Sequence, residues 1–231
     1  MSISSRVNPN HNAKIIAITQ PLVGSESPIQ LKEFVAYVAR VSNPSNQNNH
    51  LSADKLLRYL AKHKHWSPFE MVNIVMEINT TRDIARQVLR HRSFSFQEFS
   101  QRYADPTKDL GFVTREARLQ DTKNRQNSIV NDDKELETSW NEMQTYVRSS
   151  AENAYIWAIE NGIAKEQARA VLPEGLTVSR MYMNGTLRSW IHYCQLRCGI
   201  ETQKEHREIA YDAWYKILEH FPDLQDITIG Q

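Results

Sequence analysis

The stretch RHRSFSFQEFS, residues 90–100, puts two arginines, a histidine, three phenylalanines, three serines and a glutamate into eleven positions. Guanidinium forks, hydroxyls and free backbone N–H groups are the donors that hold phosphate. Just upstream, Gln87 shares one helical face with Arg90 and His91, and Arg86 lies one turn before Arg90. Asp83 is the only acid in RDIARQVLRHR, residues 82–92. Arginines this poorly balanced repel one another unless an anion sits among them. If the next residues are extended, Phe94 and Phe96 point one way and Ser93 and Ser95 the other. The phenylalanines would then give a dry wall for a flat ring. The block suits a ligand with both phosphate and an aromatic ring system, such as a nucleotide or dinucleotide cofactor. Glu98 either accepts from a ribose hydroxyl or orients Arg102. Two blander readings compete: a solvated basic face, and a single-strand or RNA surface with interleaved rings and cations.

The elements that must position this block follow from spacing. AKIIAIT (13–19) reads as a short buried strand. A helix starts at Ser27-Pro28 and turns Leu31, Phe34, Val35 and Val38 to one side. Residues 42–50 form a loop, and Ser52 caps a helix with Leu56, Leu57 and Leu60 inward. Val72, Ile74, Met76 and Ile78 alternate as a strand. Thr80 or Thr81 opens a helix that runs to about Arg92. Residues 93–135 read as polar and irregular, with a short strand near Phe112. A long amphipathic helix covers 134–160 and ends at Asn161-Gly162. A short helix at 165–171 stops at Pro173, a strand spans 176–183, and helices at 186–198 and 201–219 follow. The expectation is one mixed α/β (α+β) domain over residues 1–231, with a small antiparallel or mixed sheet surrounded by helices and a loose tail at 1–12.

Composition narrows the function. Among 231 residues the net charge is +1, which gives no general attraction to nucleic acid or membrane. No apolar run reaches the length of a membrane span, and MSISSRVNPNHN lacks the character of a secretory signal. A cytoplasmic location is the default. Cys194 and Cys198 make no disulfide framework, and C-x3-C within a helix reads as small core residues rather than a zinc site. His63 and His65 lack acidic or cysteine partners at ligand spacing, so no metal is expected. There is no Walker loop and no GxGxxG, so phosphate must be held by side chains or helix ends. Arg115, Arg118, Lys123 and Arg125 read as a solvated loop face or a segment that orders around a ligand. Trp140, Tyr155 and Trp157 read as core or subunit interface. Trp190 and Tyr193 either pack in the core or touch a ring.

Arg90-His91-Arg92, then seven residues, then Ser100, resembles the RHR-x7-S signature of the flavin-dependent thymidylate synthases. HWSPFE (65–70), ARVS (39–42), ARAVLP (168–173) and GTLRSWIHYCQLR (185–197) are similar to further segments of that family, and the likeness spans roughly 35–215. The chain departs from common family residues at Gln97, Thr186, His192 and Glu201.

The resemblance implies reductive methylation of dUMP to dTMP, with methylenetetrahydrofolate as carbon donor, FAD as hydride carrier and NADPH as reductant. It also implies a homotetramer with active sites shared between subunits, and no nucleic-acid or membrane partner. Carried over by position, Ser42, Ser67, Arg90, His91, Arg92, Glu98, Thr186, Leu187, Arg188 and His192 would meet FAD. Gln87, Val88, Leu89, Arg90, Glu98, Phe99, Ser100, Gln101, Arg102 and Arg169 would hold dUMP, and His65 would contact the folate. Arg197 would face the uracil and stabilise charge developing on it. The family uses no cysteine nucleophile, and Ser100 is expected as a substrate contact because no base stands ready to activate it. A nucleotide-binding enzyme without flavin is the alternative that keeps the phosphate site.

Overall fold

The computed structural model describes residues 10–23 and 29–230. In chain order the elements are β1 (Asn12–Ile18), α1 (Leu31–Ala39), α2 (Ala53–Lys62), β2 (Asn73–Thr81), α3 (Arg82–Val88), β3 (Ser95–Glu98), α4 (Pro106–Asp109), β4 (Leu119–Gln120), β5 (Ser128–Ile129), α5 (Lys134–Glu160), α6 (Lys165–Ala168), β6 (Val178–Thr186), α7 (Leu187–Arg197) and α8 (Lys204–His220). Short 3₁₀ turns interrupt the loops at Pro44–Asn46, His50–Ser52, Ser67–Met71, Arg169–Val171 and Pro222–Leu224.

The sheet is antiparallel, in the order β1-β2-β6-β3, as expected for a small mixed α+β fold. Its centre is the β2–β6 ladder, which pairs Asn73 with Thr186 at one end and Thr81 with Val178 at the other. Val72, Ile74, Met76 and Ile78 are all buried, as their alternation predicts, and Met181 and Met183 of β6 join them. Trp190, Tyr193, Ile209, Ala213 and Ile217 from α7 and α8 close this face. Fully burying an aliphatic or aromatic side chain is worth about 1.5–3 kcal/mol, so this dry interface is the main anchor of the fold. Trp190 also satisfies its indole N–H on the Ile74 carbonyl, 3.1 Å away.

Both central strands run directly into helices. β2 passes into α3 at Arg82, and β6 passes into α7 at Leu187, where the Thr186 hydroxyl caps the Ser189 N–H at 3.2 Å. Because the strands are antiparallel, the two helices start at opposite ends of the ladder and their C-terminal ends approach each other.

Several expectations are corrected. The residues 1–9 and Ser27-Pro28, expected as tail and helix start, lie outside the described residues. The rest of the expected tail is anchored: His11 is buried with Nδ1 2.9 Å from the Thr80 hydroxyl, and the Ala13 N–H donates to Asp212 at 2.7 Å. Ser52 stands at the N-cap of α2 but makes no capping bond, because its hydroxyl accepts from the Arg40 guanidinium. α3 ends at Val88 rather than Arg92, and residues 95–98 are a sheet strand on β6 rather than irregular chain. Cross-strand pairing is non-local and leaves little mark on a four-residue segment. The long α5 matches the expectation at both ends, with Asp133 capping Glu135 and Leu136 and Gly162 taking the positive φ of 78°.

Candidate active site

The C-terminal ends of α3 and α7 meet the N-terminal turn of α8. There the Arg197 Nε–H donates to His91 Nε2 at 2.9 Å. The His91 proton therefore sits on Nδ1. Burial, with Arg197 and Arg90 nearby, lowers the His91 pKa to about 4, so the ring stays neutral and tethers the guanidinium by its lone pair. Burial and Arg90 lower the Arg197 pKa from its ordinary value without removing its charge. Arg86, Gln87, Arg90, Gln126, Arg197, Glu201, Thr202 and Gln203 line an open cavity of about 540 Å³. Gln87, Arg90 and Arg197 were expected here from sequence; Thr202, Gln203 and Gln126 were not. Helix C-termini carry partial negative charge, which favours arginines at these ends before any ligand arrives.

A second group gathers at the start of the 100–105 turn and at α6. Arg102 lies 3.5 Å from Glu166, and Arg169 donates to the Glu166 carbonyl at 3.3 Å. The Ser100 hydroxyl accepts from the Arg102 N–H at 3.4 Å. Gln101 is buried and its Nε2 has no partner among the described residues. A third group surrounds the N-terminus of α7: Arg188 pairs with Glu70, and the His192 ring meets Trp66 edge-on at 5.2 Å. Ser67 and His65 are exposed beside it, and Ser42 is exposed on the loop that Arg40 pins. Within one chain the expected residues thus form three clusters rather than one site.

Pairing divides the arginines. Arg82 faces Glu98 at 3.5 Å, and Arg86 faces Glu174 at 2.9 Å. Among the described residues Arg90, Arg92, Arg169 and Arg197 have no carboxylate partner. Glu98 also accepts from the Ser179 hydroxyl at 2.8 Å, so it orients Arg82, not Arg102. Val88 and Leu187 are fully buried, so neither presents its side chain to a ligand. Leu89, Phe94 and Phe96 pack against the core. The Phe94 ring lies on Gly185, where an added Cβ would sit 2.4 Å from Cδ1. The phenylalanine wall expected for a ligand ring is therefore part of the sheet's own packing. Phe99 is partly buried and extends β3, its N–H bonding the Arg180 carbonyl at 2.9 Å, while Arg92 is exposed.

A family model for thymidylate synthase complementing proteins matches residues 29–223. A flavin-dependent thymidylate synthase from Synechocystis is 47% identical over 212 residues, covering 91% of this chain and 96% of that protein. The chain belongs to the flavin-dependent thymidylate synthase family. A probable flavin-dependent thymidylate synthase of Paramecium bursaria Chlorella virus 1 is 45% identical over 213 residues, covering 92% of this chain and 96% of that protein. The fold is also that of a UMP/dUMP methylase from Streptomyces cacaoi, crystallised with 5-Br dUMP. That structure has a TM-score of 0.73 at 23% identity and covers 91% of this chain and 90% of its own.

The two thiols lie in the core. Cys194 and Cys198 are both buried, and burial pushes the Cys194 pKa well above its ordinary value. Among the described residues no helix is long and apolar enough to cross a membrane, and no group of three or more candidate metal ligands occurs. Sequence reasoning missed Tyr193, Gln203, Glu205 and His206 as members of the polar junction. A glutamate and histidine buried in the first turn of a helix are the signal, and burial is invisible in spacing alone.

Proposed function

We propose that this chain catalyses reductive methylation of dUMP to dTMP, taking its one-carbon unit from methylenetetrahydrofolate and its reducing equivalents from NADPH through FAD. The observation that carries this reading is that Arg90, Arg92, Arg169 and Arg197 lack carboxylate partners among the described residues, while Arg82 and Arg86 of α3 have them. Membership of the family supplies the anions that such a set awaits. The buried Nε2 of Gln101, without a partner among the described residues, adds a donor that a nucleotide could satisfy. Bound FAD, once reduced, supplies the hydride chemistry.

The chain's own residues do the rest. Arg102, Arg169 and the Ser100 hydroxyl hold the nucleotide phosphate. Arg90, Arg92 and Ser67, with Ser42, Thr186, Arg188 and His192, hold the dinucleotide and its ring. His65, exposed beside Trp66, meets the folate. Arg197, fixed by neutral His91, stabilises negative charge that develops on the pyrimidine. The Cys194 and Cys198 thiols take no part.

The homotetramer belongs to the same reading. Leu136, Trp140, Met143 and Val147 are exposed along α5 at spacings of four, three and four, which is the seam of a helix that packs on another helix. Trp157 is exposed on the same helix, whereas Tyr155 belongs to the core. A second copy would cover the seam and bring the separate arginine clusters of two chains together. The test is a reaction with dUMP, methylenetetrahydrofolate and NADPH on FAD-reconstituted protein. Stoichiometric dTMP and dUMP-dependent NADPH oxidation are expected. Neither appearing with FAD bound would remove the proposal.

A further inference from the structure

Arg118, Glu205, Gln203, Gln87, His206 and Tyr193 form one continuous hydrogen-bonded line through the junction of α3, α7 and α8. The line has a direction, and a carboxylate sets it. Glu205 is buried in the first turn of α8. Burial would raise its pKa, but the Arg118 guanidinium and the helix N-terminus outweigh that and hold it below the ordinary value. An ionised carboxylate only accepts. The Gln203 amide must therefore turn its Nε2–H to Glu205, 2.9 Å away, leaving its oxygen to accept from Gln87 Nε2 at 2.8 Å. The Gln87 oxygen then faces His206 Nδ1 at 3.4 Å, which places the imidazole proton on that nitrogen. His206 Nε2 keeps its lone pair and accepts from the Tyr193 hydroxyl at 3.1 Å. His206 is fully buried, and burial followed by Arg197, His91 and Arg90 brings its pKa down to about 3, so it carries a single ring proton. With its oxygen committed to His206 and one N–H to Gln203, Gln87 has one N–H uncommitted, and Gln87 lines the cavity.

We infer that Glu205, acting through Gln203, is a positioning residue that locks the Gln87 amide as a hydrogen donor, so that the site reads a carbonyl oxygen on the pyrimidine edge and disfavours an amino group there. This rests on the proposed nucleotide site. A uracil offers a carbonyl where cytosine offers an amine, so the lock selects dUMP over dCMP. An amide free to rotate would accept either, because its two ends are the same size and of opposite hydrogen-bonding sense.

The test has two parts, both on FAD-reconstituted protein. Nitrogen-15 NMR of the imidazoles, with His206→Phe to assign the signal, reads the tautomer with no nucleotide present. A single Nδ1–H form of His206 is expected in the wild type, and a mixture in Gln203→Met, which leaves the Arg118–Glu205 pair intact. A wild-type Nε2–H form would overturn the inference while leaving the synthase reading untouched. Second, dUMP and dCMP affinities are compared in both proteins. Gln203→Met should weaken dUMP by about ten-fold, the worth of one hydrogen bond to a buried group, with dCMP held or improved, so that the ratio narrows. An unchanged ratio would overturn the inference. A wild type that binds neither nucleotide would overturn the synthase reading and this inference with it.

Discussion

Arg115 and Arg118 end in carboxylates; Arg90 and Arg197 do not. The first two come from a polar loop and lie on Asp83 at 2.7 Å and on Glu205 at 2.5 Å, with side chains only 19% and 14% exposed. The second two come from helix ends, line an open cavity and have no carboxylate partner among the described residues. Of the two readings open for the loop, the solvated face fails for Arg115 and Arg118, whereas Arg90 and Arg92 of the 90–100 block remain without carboxylates among the described residues. The contrast separates charge the fold neutralises for itself from charge it leaves for something else. Buried guanidinium groups that close on acids hold the junction in shape. Open ones hold stored repulsion that an anion relieves.

The sharpest break in this comparison is Arg118→Met. It leaves Glu205 buried and unpaired, which costs about 3–5 kcal/mol. Urea denaturation should show a large fall in midpoint, and a midpoint within error of wild type would place Arg118 among the open arginines. Arg197→Met should do the opposite. Turnover should fall by about 100- to 1000-fold, the loss expected when a donor to developing negative charge is removed. The unfolding free energy should fall by no more than about 1.5 kcal/mol, the net worth of its hydrogen bond to His91. Loss of stability without loss of turnover would reverse the assignment.

These two classes of arginine differ in how legible they are from sequence. Half of the open set is local: Arg90 and Arg92 fall with Ser100 within eleven residues, whereas Arg169 and Arg197 stand in segments of their own. The closed set is not local. Asp83 lies 32 positions before Arg115, and Glu205 lies 87 positions after Arg118. No spacing rule connects them, so the loop reads as solvated until the chain is folded. The same distinction runs through the fold. β2 and α5 follow from side-chain period and caps within their own segments. β3 is fixed by its pairing with β6, and the phenylalanine wall is claimed by Trp190 and by the bare backbone of Gly185. Sequence names the expected site residues one by one, but it does not show their division into three clusters.

Acid should weaken the closed junction first. Burial lowers the pKa of His11 and His91 to about 4 and that of His206 to about 3, from an ordinary value of 6.5. The unfolded chain takes up these protons more readily than the folded one. Stability should therefore be full above about pH 7 and fall steadily as pH drops from 6.5 towards 4. Glu205, held below its ordinary pKa, adds a further loss at the acid end of that range. Urea midpoints at several pH values measure this, and a flat profile down to about pH 5 would show that these imidazoles are solvated.

The smallest effect belongs to pairs that neither close the core nor await a ligand. Lys32 and Asp54 are 2.8 Å apart, with side chains 28% and 51% exposed. Asp54→Asn should cost less than about 1 kcal/mol, and less again in high salt. A larger loss by denaturation would mean that exposed ion pairs contribute to stability here as the buried ones do.

The central claim is that the open arginines, brought together by a second copy of the chain, form one site for a flavin dinucleotide and a nucleotide. The most direct measurement is the visible absorption spectrum of the purified protein, reconstituted with FAD and titrated with dUMP. The account predicts a bound-flavin spectrum that shifts and saturates as dUMP is added, because the two ligands lie side by side among these cations. Absence of bound flavin at saturating FAD, or a flavin spectrum indifferent to dUMP, would contradict it.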